Sequence, residues 1–340
     1  MKKITGAGVD RPTLLGARPG GASNLGPSDF GMQMALRQIA FDPSKPVAPP
    51  RPASAFPMPQ PATSTPSDDL ALRRREWLLD VAERQRSLSA VAGGLPRVRD
   101  LPHQGFLDHF YAPGRPVVIE GAIDAWPALA RWTPDYLRRA VGSAPVEYQN
   151  GRDSRPDYEL LKDRHKETVG FDRFIERITV DGAGNDAYIT AYNSATNGAA
   201  FAPLMEDVRP IDAYLTPANG MLWIGPADTF TPLHFDLTNN LLVQVTGRKR
   251  VLLVPPSETR HLAHRRHVFS EVHDIAAPDR LAQYPAARLA RRFEVDLGPG
   301  ELLYIPVGWW HQVLAMSFSV TLTYTNFLWP NDAHESFPGG

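Results

Sequence analysis

From Ala187 to its end the chain is a succession of short β-rich runs, AYITAY, GMLWIG, LLVQVTG, KRVLLVPP, FEVDLGPGELLYIP, HQVL and FSVTLTYTNF, punctuated by Gly and Pro. Many short strands joined by turns, mostly without helices between them, point to an antiparallel sandwich or barrel rather than to a parallel sheet with crossover helices. The pattern therefore predicts a mainly β core with flanking helices. No repeat of fixed period accompanies it.

The segments before this block differ from it and from one another. Residues 1–66 are rich in Gly, Pro, Ser and Ala, too poor in apolar side chains to offset the entropy of ordering, and are expected to form a disordered or extended tail. Within it FGMQMALRQIAF, from Phe30 to Phe41, has the spacing of a transient helix. Order is expected from Ser67. There SDDLALRRREWLLDVAERQRSL opens with the capping residues Ser67 and Asp68 and sets Leu70, Trp77, Leu78, Val81 and Leu88 at largely helical spacing. We expect residues 67–95 to contribute a helix packing on the domain, and residues 96–335 to form that domain. In it RPVVIEG predicts a buried strand and AWPALARWTPDYLRRAVG a proline-interrupted pair of helices.

Composition narrows the chemistry. The chain has no cysteine, which excludes disulfides, thiolate zinc sites, iron–sulfur clusters and thiol nucleophiles, so any metal must be held by His, Asp or Glu. A net charge of −1 supplies no field for nucleic acid or an acidic membrane. The two lysines near the N-terminus precede no apolar run suited to a signal peptide, and no later run suits a bilayer span, so the expected location is the cytoplasm.

The stretch TPLHFDLTNN places His234 and Asp236 two apart at the start of an apparent strand, where side chains at i and i+2 share a face. His311, in YIPVGWWHQVL, is the best third ligand. Two imidazoles and one carboxylate with open positions form the facial triad of non-haem Fe(II) oxygenases. A His-x-Asp alone is common, so the surroundings carry weight. LLVQVTGRKRVLLVPP is expected to be a hairpin turning at Thr246-Gly247-Arg248, with Lys249 on the face of Val251 and Leu253. A lysine there either meets an anion in the interior or snorkels to solvent from the strand end. In FSVTLTYTNF, Asn326 falls on the apolar face of Phe318, Val320, Leu322 and Tyr324, to be satisfied by backbone or by a ligand, and Asn240 raises the same question beyond Asp236.

With these residues in order, RPVVIEGAIDAWPALARWTPDYLRRAVG, TPLHFD, TGRKRVLLVPP and LGPGELLYIPVGWWHQV resemble the JmjC and cupin-like family of Fe(II)- and 2-oxoglutarate-dependent oxygenases, most of all its asparaginyl hydroxylase branch. The resemblance spans about residues 96–330. It implies a double-stranded β-helix, a jelly-roll-like barrel with iron inside one end. It further implies that His234, Asp236 and His311 are the iron ligands, and that Lys249 pairs with the distal carboxylate of 2-oxoglutarate with help from Thr231 and Tyr188. Asn240 and Asn326 would stand near the carboxylate that chelates iron.

Such an enzyme would use O2 to decarboxylate 2-oxoglutarate to succinate and hydroxylate a C–H bond. The expected substrate is a protein or peptide side chain. Alternatives are a small metabolite, a natural product or an RNA base; N-methyl demethylation, which no reader or zinc module here accompanies; and a non-catalytic cupin-like scaffold. Membrane and general nucleic-acid partners are not expected. The chain ends shortly after Trp329 without the helical extension by which some relatives dimerise, leaving the oligomeric state open. The insert ETRHLAHRRHVFSEVHD, with His261, His264, His267 and His273 among arginines, is expected to be a solvated basic loop near the substrate entrance rather than a second metal site.

Overall fold

The computed structural model describes residues 66–88 and 94–338. The proline-rich tail and its FGMQMALRQIAF segment lie outside the described residues.

In chain order the strands are β1 (Arg97–Arg99), β2 (Val117–Glu120), β3 (Pro145–Gln149), β4 (Lys166–Gly170), β5 (Met221–Gly225), β6 (Phe230–Phe235) and β7 (Asn240–Thr246). They continue as β8 (Lys249–Val254), β9 (His264–Arg266), β10 (Phe269–Ser270), β11 (Phe293–Leu297), β12 (Leu302–Ile305), β13 (Trp310–Ala315) and β14 (Ser319–Tyr324). Two six-stranded sheets result, ordered β1-β2-β12-β7-β14-β5 and β11-β8-β13-β6-β10-β9. Apart from the parallel β1-β2 edge every pairing in them is antiparallel. This is the expected jelly-roll core, with β3 and β4 as a separate ribbon.

The expected hairpin at Thr246-Gly247-Arg248 is a crossing between sheets instead. β7 pairs with β12 and β14, whereas β8 pairs with β11 and β13. The turn signal in the sequence is genuine, but strands on either side of a tight turn need not pair when each finds other neighbours. Gly247 is required at this corner: its φ is +73°, and a Cβ there would lie 1.9 Å from the Phe318 carbonyl oxygen.

Alternation divides the apolar residues of the barrel between two cores. On the outer face of the first sheet, Leu241, Val243, Leu302, Tyr304, Val320 and Leu322 pack against flanking helices. Among these helices is Phe171–Val180, which buries Phe171, Phe174, Ile175 and Ile178 at helical spacing. The expected proline-interrupted pair is Ala128–Arg131 and Pro134–Val141; Thr133 caps the second, its Oγ1 accepting from Tyr136 N at 3.2 Å. Between the sheets, Leu242, Leu303, Val251, Leu253 and Val313 form the inner core.

The Pro66–Ser87 helix exists, but most of its apolar residues do not dock it. Trp77 and Leu78 are 59% and 58% exposed. Ion pairs hold it instead: Arg260 Nη1 to Asp80 Oδ2 at 2.8 Å, and Arg291 to Glu83. Helical spacing identified the helix, while the side it turns to the barrel follows from charges contributed by distant loops.

Candidate active site

His234 and His311 are directly opposed on neighbouring antiparallel strands, β6 and β13, so both imidazoles leave the sheet on one face, ring centroids 4.2 Å apart. Asp236, just past the end of β6, completes the group. Its Oδ1 lies 3.7 Å from His234 Nε2 and its Oδ2 3.7 Å from His311 Nε2. The three ligand atoms lie within 4.8 Å of one another, the one such group of His and carboxylates among the described residues.

The tautomers follow from the backbone. His234 Nδ1 faces Pro232 O at 2.8 Å and His311 Nδ1 faces Trp309 O at 3.0 Å. A carbonyl only accepts, so each Nδ1 carries the proton and each Nε2 presents a lone pair to the shared point. Burial, and then the neighbouring His311, push His234 down to about 4, keeping it unprotonated at neutral pH. Burial alone would lift Asp236, but His311, His234 and the amide of Asn240 outweigh it and hold its carboxyl below the usual range. Asn240 Nδ2 donates to Asp236 Oδ2 at 3.1 Å, so this residue orients the carboxylate, while its buried Oδ1 has no partner.

A β-bulge brings in Thr231. β13 advances two residues, from His311 to Val313, while β6 advances three, from His234 back to Thr231. The extra residue falls at Pro232-Leu233 and restores Thr231, opposite inner-core Val313, to the inner face alongside His234. Lys249 stands on the same inner surface at the start of β8, 2% exposed, its neighbours Val251 and Leu253 in the inner core. Its Nζ donates to Tyr188 Oη at 3.0 Å and lies 5.9 Å from the Trp223 ring, but meets no carboxylate among the described residues. Burial lowers it to about 7. Tyr188 lies across β5 because position 225 is glycine: a Cβ there would come within 2.6 Å of its ring.

Asn326 is not brought to this group. Its Nδ2 donates to Thr216 O, and its own carbonyl accepts from Thr216 N at 2.9 Å, tying two loops together. Alternation placed it correctly with Val320 and Leu322, but that face of β14 looks outward at the helices. The inner face carries the threonines, with Thr323 Oγ1 accepting from Trp223 Nε1 at 3.0 Å. Asn326→Ala is therefore expected to leave the divalent-metal affinity of the His234, Asp236 and His311 group within about twofold, as for a site-remote change, measurable by calorimetric titration.

Three further elements escape the sequence. Phe269, from the His- and Arg-rich insert, stacks on His234 with ring centroids 5.6 Å apart, because β10 adds to β6. Arg152 is 1% exposed, donating to Glu159 Oε1 at 2.9 Å and to Phe230 O at 2.8 Å at the start of β6. Glu159 also meets Lys162 Nζ at 3.1 Å; burial would raise its carboxyl, but Lys162 and Arg152 hold it down to about 2. NGRDSRPDYELLKD has the charge density of a solvated loop, and no local signal separates it from one.

The donor set fits a divalent iron: two neutral imidazole nitrogens and one carboxylate, preset by outer hydrogen bonds. The unpaired ammonium of Lys249 fits a dicarboxylic acid entering the same inner surface.

Residues 102–331 match the cupin-like domain family. The chain is 30% identical over 243 residues to lysine-specific demethylase 8 of Xenopus tropicalis, covering 68% of this chain and 52% of that protein. With lysine-specific demethylase JMJ30 of Arabidopsis thaliana it shares 30% over 254 residues, covering 68% and 54%. With tRNA wybutosine-synthesizing protein 5 of Homo sapiens it shares 29% over 263 residues, covering 72% and 80%. The chain thus spans about half the length of these demethylases and four-fifths of the tRNA-modifying protein. Among the described residues no helix is long and apolar enough to cross a membrane.

Proposed function

Because the chain belongs to the cupin-like JmjC family of Fe(II)- and 2-oxoglutarate-dependent oxygenases, we propose that it hydroxylates a C–H bond of a protein or peptide side chain. His234, Asp236 and His311 hold Fe(II), and Lys249 with Tyr188 and Thr231 receives the distal carboxylate of 2-oxoglutarate. The observation that carries this reading is Lys249, a buried cation without an acidic partner on the inner surface that also bears the triad. The likeness to the asparaginyl hydroxylase branch is part of the same proposal. The wybutosine-synthesizing relative, matched over most of its length, supports a second reading in which a tRNA base is the target. It reopens the nucleic-acid partner that charge alone disfavours.

When bound, Fe(II) and 2-oxoglutarate supply an oxidative decarboxylation that divides O2 between succinate and a new hydroxyl group on substrate carbon. The protein does the rest. The carbonyls of Pro232 and Trp309 fix the imidazoles, and Asn240 fixes the carboxylate, so the ligands need no reorganisation. Tyr188 accepts from Lys249, leaving its own hydroxyl proton to be donated to the incoming carboxylate, and burial raises Tyr188 so that this proton is kept. The inner core of aliphatic residues excludes water.

Anaerobic titration with Fe(II) and 2-oxoglutarate tests the proposal: the visible charge-transfer band of the chelate appears, and its absence in folded protein sinks the reading. A pH dependence accompanies it. Free Lys249 loses its proton near pH 7, whereas beside a carboxylate it stays charged, so binding above that pH must take up a proton. The dissociation constant for 2-oxoglutarate is thus expected to be flat below pH ~7 and to rise by up to about tenfold per pH unit above it. Calorimetry in buffers of different ionisation enthalpy would count the proton directly.

A further inference from the structure

β6 carries Thr231 near its start and His234 near its end, and different elements hold the two ends. At the metal end β10 reaches it at His234, and Phe235 N donates to Val268 O at 3.1 Å. At its start the edge away from β13 has no strand beside it among the described residues, and side chains cover it instead. Phe230 O accepts from Arg152 Nη2 at 2.8 Å and from Tyr158 Oη at 2.9 Å, while Phe230 N donates to Asn185 Oδ1 at 2.9 Å. Arg152 Nε closes the ring by donating to Asn185 O at 3.1 Å. Both backbone groups of Phe230 are thus committed, and the next residue is Thr231.

The same guanidinium meets the other side of the lysine. Arg152 Cζ lies 5.2 Å from the centre of the Tyr188 ring, within cation–π range, and Tyr188 Oη accepts from Lys249 Nζ. Its plane is fixed from outside: Nη1 donates to Glu159 Oε1 at 2.9 Å, and Lys162 Nζ holds Glu159 Oε2 at 3.1 Å. A buried ion pair is by itself weak support for stability, since apolar residues of similar volume often serve as well. What a guanidinium adds is direction, because its donors lie in one rigid plane and here reach Glu159, Asn185 and Phe230 together. A lysine could pair with Glu159 but could not span all three. The bulge at Pro232-Leu233 separates this end from the metal end, and Leu233 N is tied independently to His273 O at 2.8 Å. A shift at Phe230 is therefore absorbed before His234, which β10 and β13 hold on their own.

We propose that Arg152 is a positioning residue for 2-oxoglutarate: buried and acting through Phe230 and Tyr188, it sets Thr231 and the Tyr188 hydroxyl around Lys249, and so controls co-substrate affinity without controlling metal affinity. The proposal rests on the oxygenase reading above. To test it, the full chain is compared with Arg152→Lys and Tyr158→Phe by anaerobic calorimetry, titrating Fe(II) first and then 2-oxoglutarate into the Fe(II)-loaded protein. Arg152→Lys raises the Kd for 2-oxoglutarate by about 10- to 100-fold, the range for removing an outer partner of a ligand, and leaves the Kd for Fe(II) within about twofold. Tyr158→Phe removes one of the two donors to Phe230 O and keeps the ring, so it raises the Kd for 2-oxoglutarate by about three- to tenfold. In a succinate assay both variants raise the KM for 2-oxoglutarate, with kcat at saturation changed by less than about threefold. A merely structural role would weaken Fe(II) and 2-oxoglutarate together, or leave both unchanged; either result in a folded variant overturns the proposal and leaves the oxygenase reading standing. If Arg152→Lys does not fold, Tyr158→Phe decides alone, and an unchanged Kd for 2-oxoglutarate in it overturns the proposal. Wild-type protein that fails to bind 2-oxoglutarate once loaded with Fe(II) instead overturns the oxygenase reading, and this proposal with it.

Discussion

Asp236→Ala is expected to abolish succinate formation while leaving a folded protein. The carboxylate contributes one of three ligand atoms and the one negative charge of the group, so its removal should weaken Fe(II) binding by well more than the roughly 10- to 100-fold that losing an outer hydrogen-bond partner costs. Asn240→Leu, which removes only such a partner, calibrates the scale and should fall within that range. Stability moves far less. Neighbours hold the Asp236 carboxyl below its ordinary value, so its contribution is present above the unfolded pKa and lost as the pH falls through the folded one. Truncation at neutral pH therefore costs something, on the order of 1 kcal/mol, as for a partly exposed polar side chain. Fe(II) titration, thermal melting and a succinate assay on one preparation separate the two effects. Succinate production by a well-folded Asp236→Ala protein would rule out the iron assignment.

Short-range periodicity carries far in this chain and then stops for identifiable reasons. The i, i+2 rule placed Lys249 with Val251 and Leu253, which lie within β8, and His234 with Asp236, because the chain stays extended for one residue past the end of β6. It could not join His234 to Thr231, three residues apart, since only a bulge gives them one face; Pro232, a residue that regular inner strands avoid, is the trace of that bulge in the sequence. For Asn326 alternation identified the face correctly but not its direction, because which side of β14 looks into the barrel depends on sheets assembled from the whole chain. The supposed hairpin at Gly247 fails similarly: a tight turn is a local property, partner choice is not. Buried Arg152 sits in a stretch whose local composition is that of surface, and only long-range neighbours such as Phe230 bury it.

Lys249→Met is the second large expectation, and its two effects have opposite signs. At pH 7 an unfolded chain holds this lysine fully protonated, near its ordinary 10.5, whereas in the fold burial lowers it to about 7. The unfolded state therefore binds more protons, and the burden that Lys249 places on folding is greatest below pH ~7 and lifts as the pH rises from there toward 10.5. Methionine fills similar space without the charge. Without 2-oxoglutarate the variant should thus be more stable than wild type by up to a few kcal/mol, with a higher Tm. With 2-oxoglutarate the order reverses. Wild type gains stability in proportion to the logarithm of ligand concentration, while the variant lacks the cation for the distal carboxylate and should lose about 10²- to 10³-fold in affinity, the effect of truncating one partner of a buried charge pair. A lysine that merely snorkels, or that supports the fold, would give no rise in the first melt and no crossing in the second. The crossing therefore distinguishes a cation kept at a cost to stability for an anionic ligand from one kept for the fold.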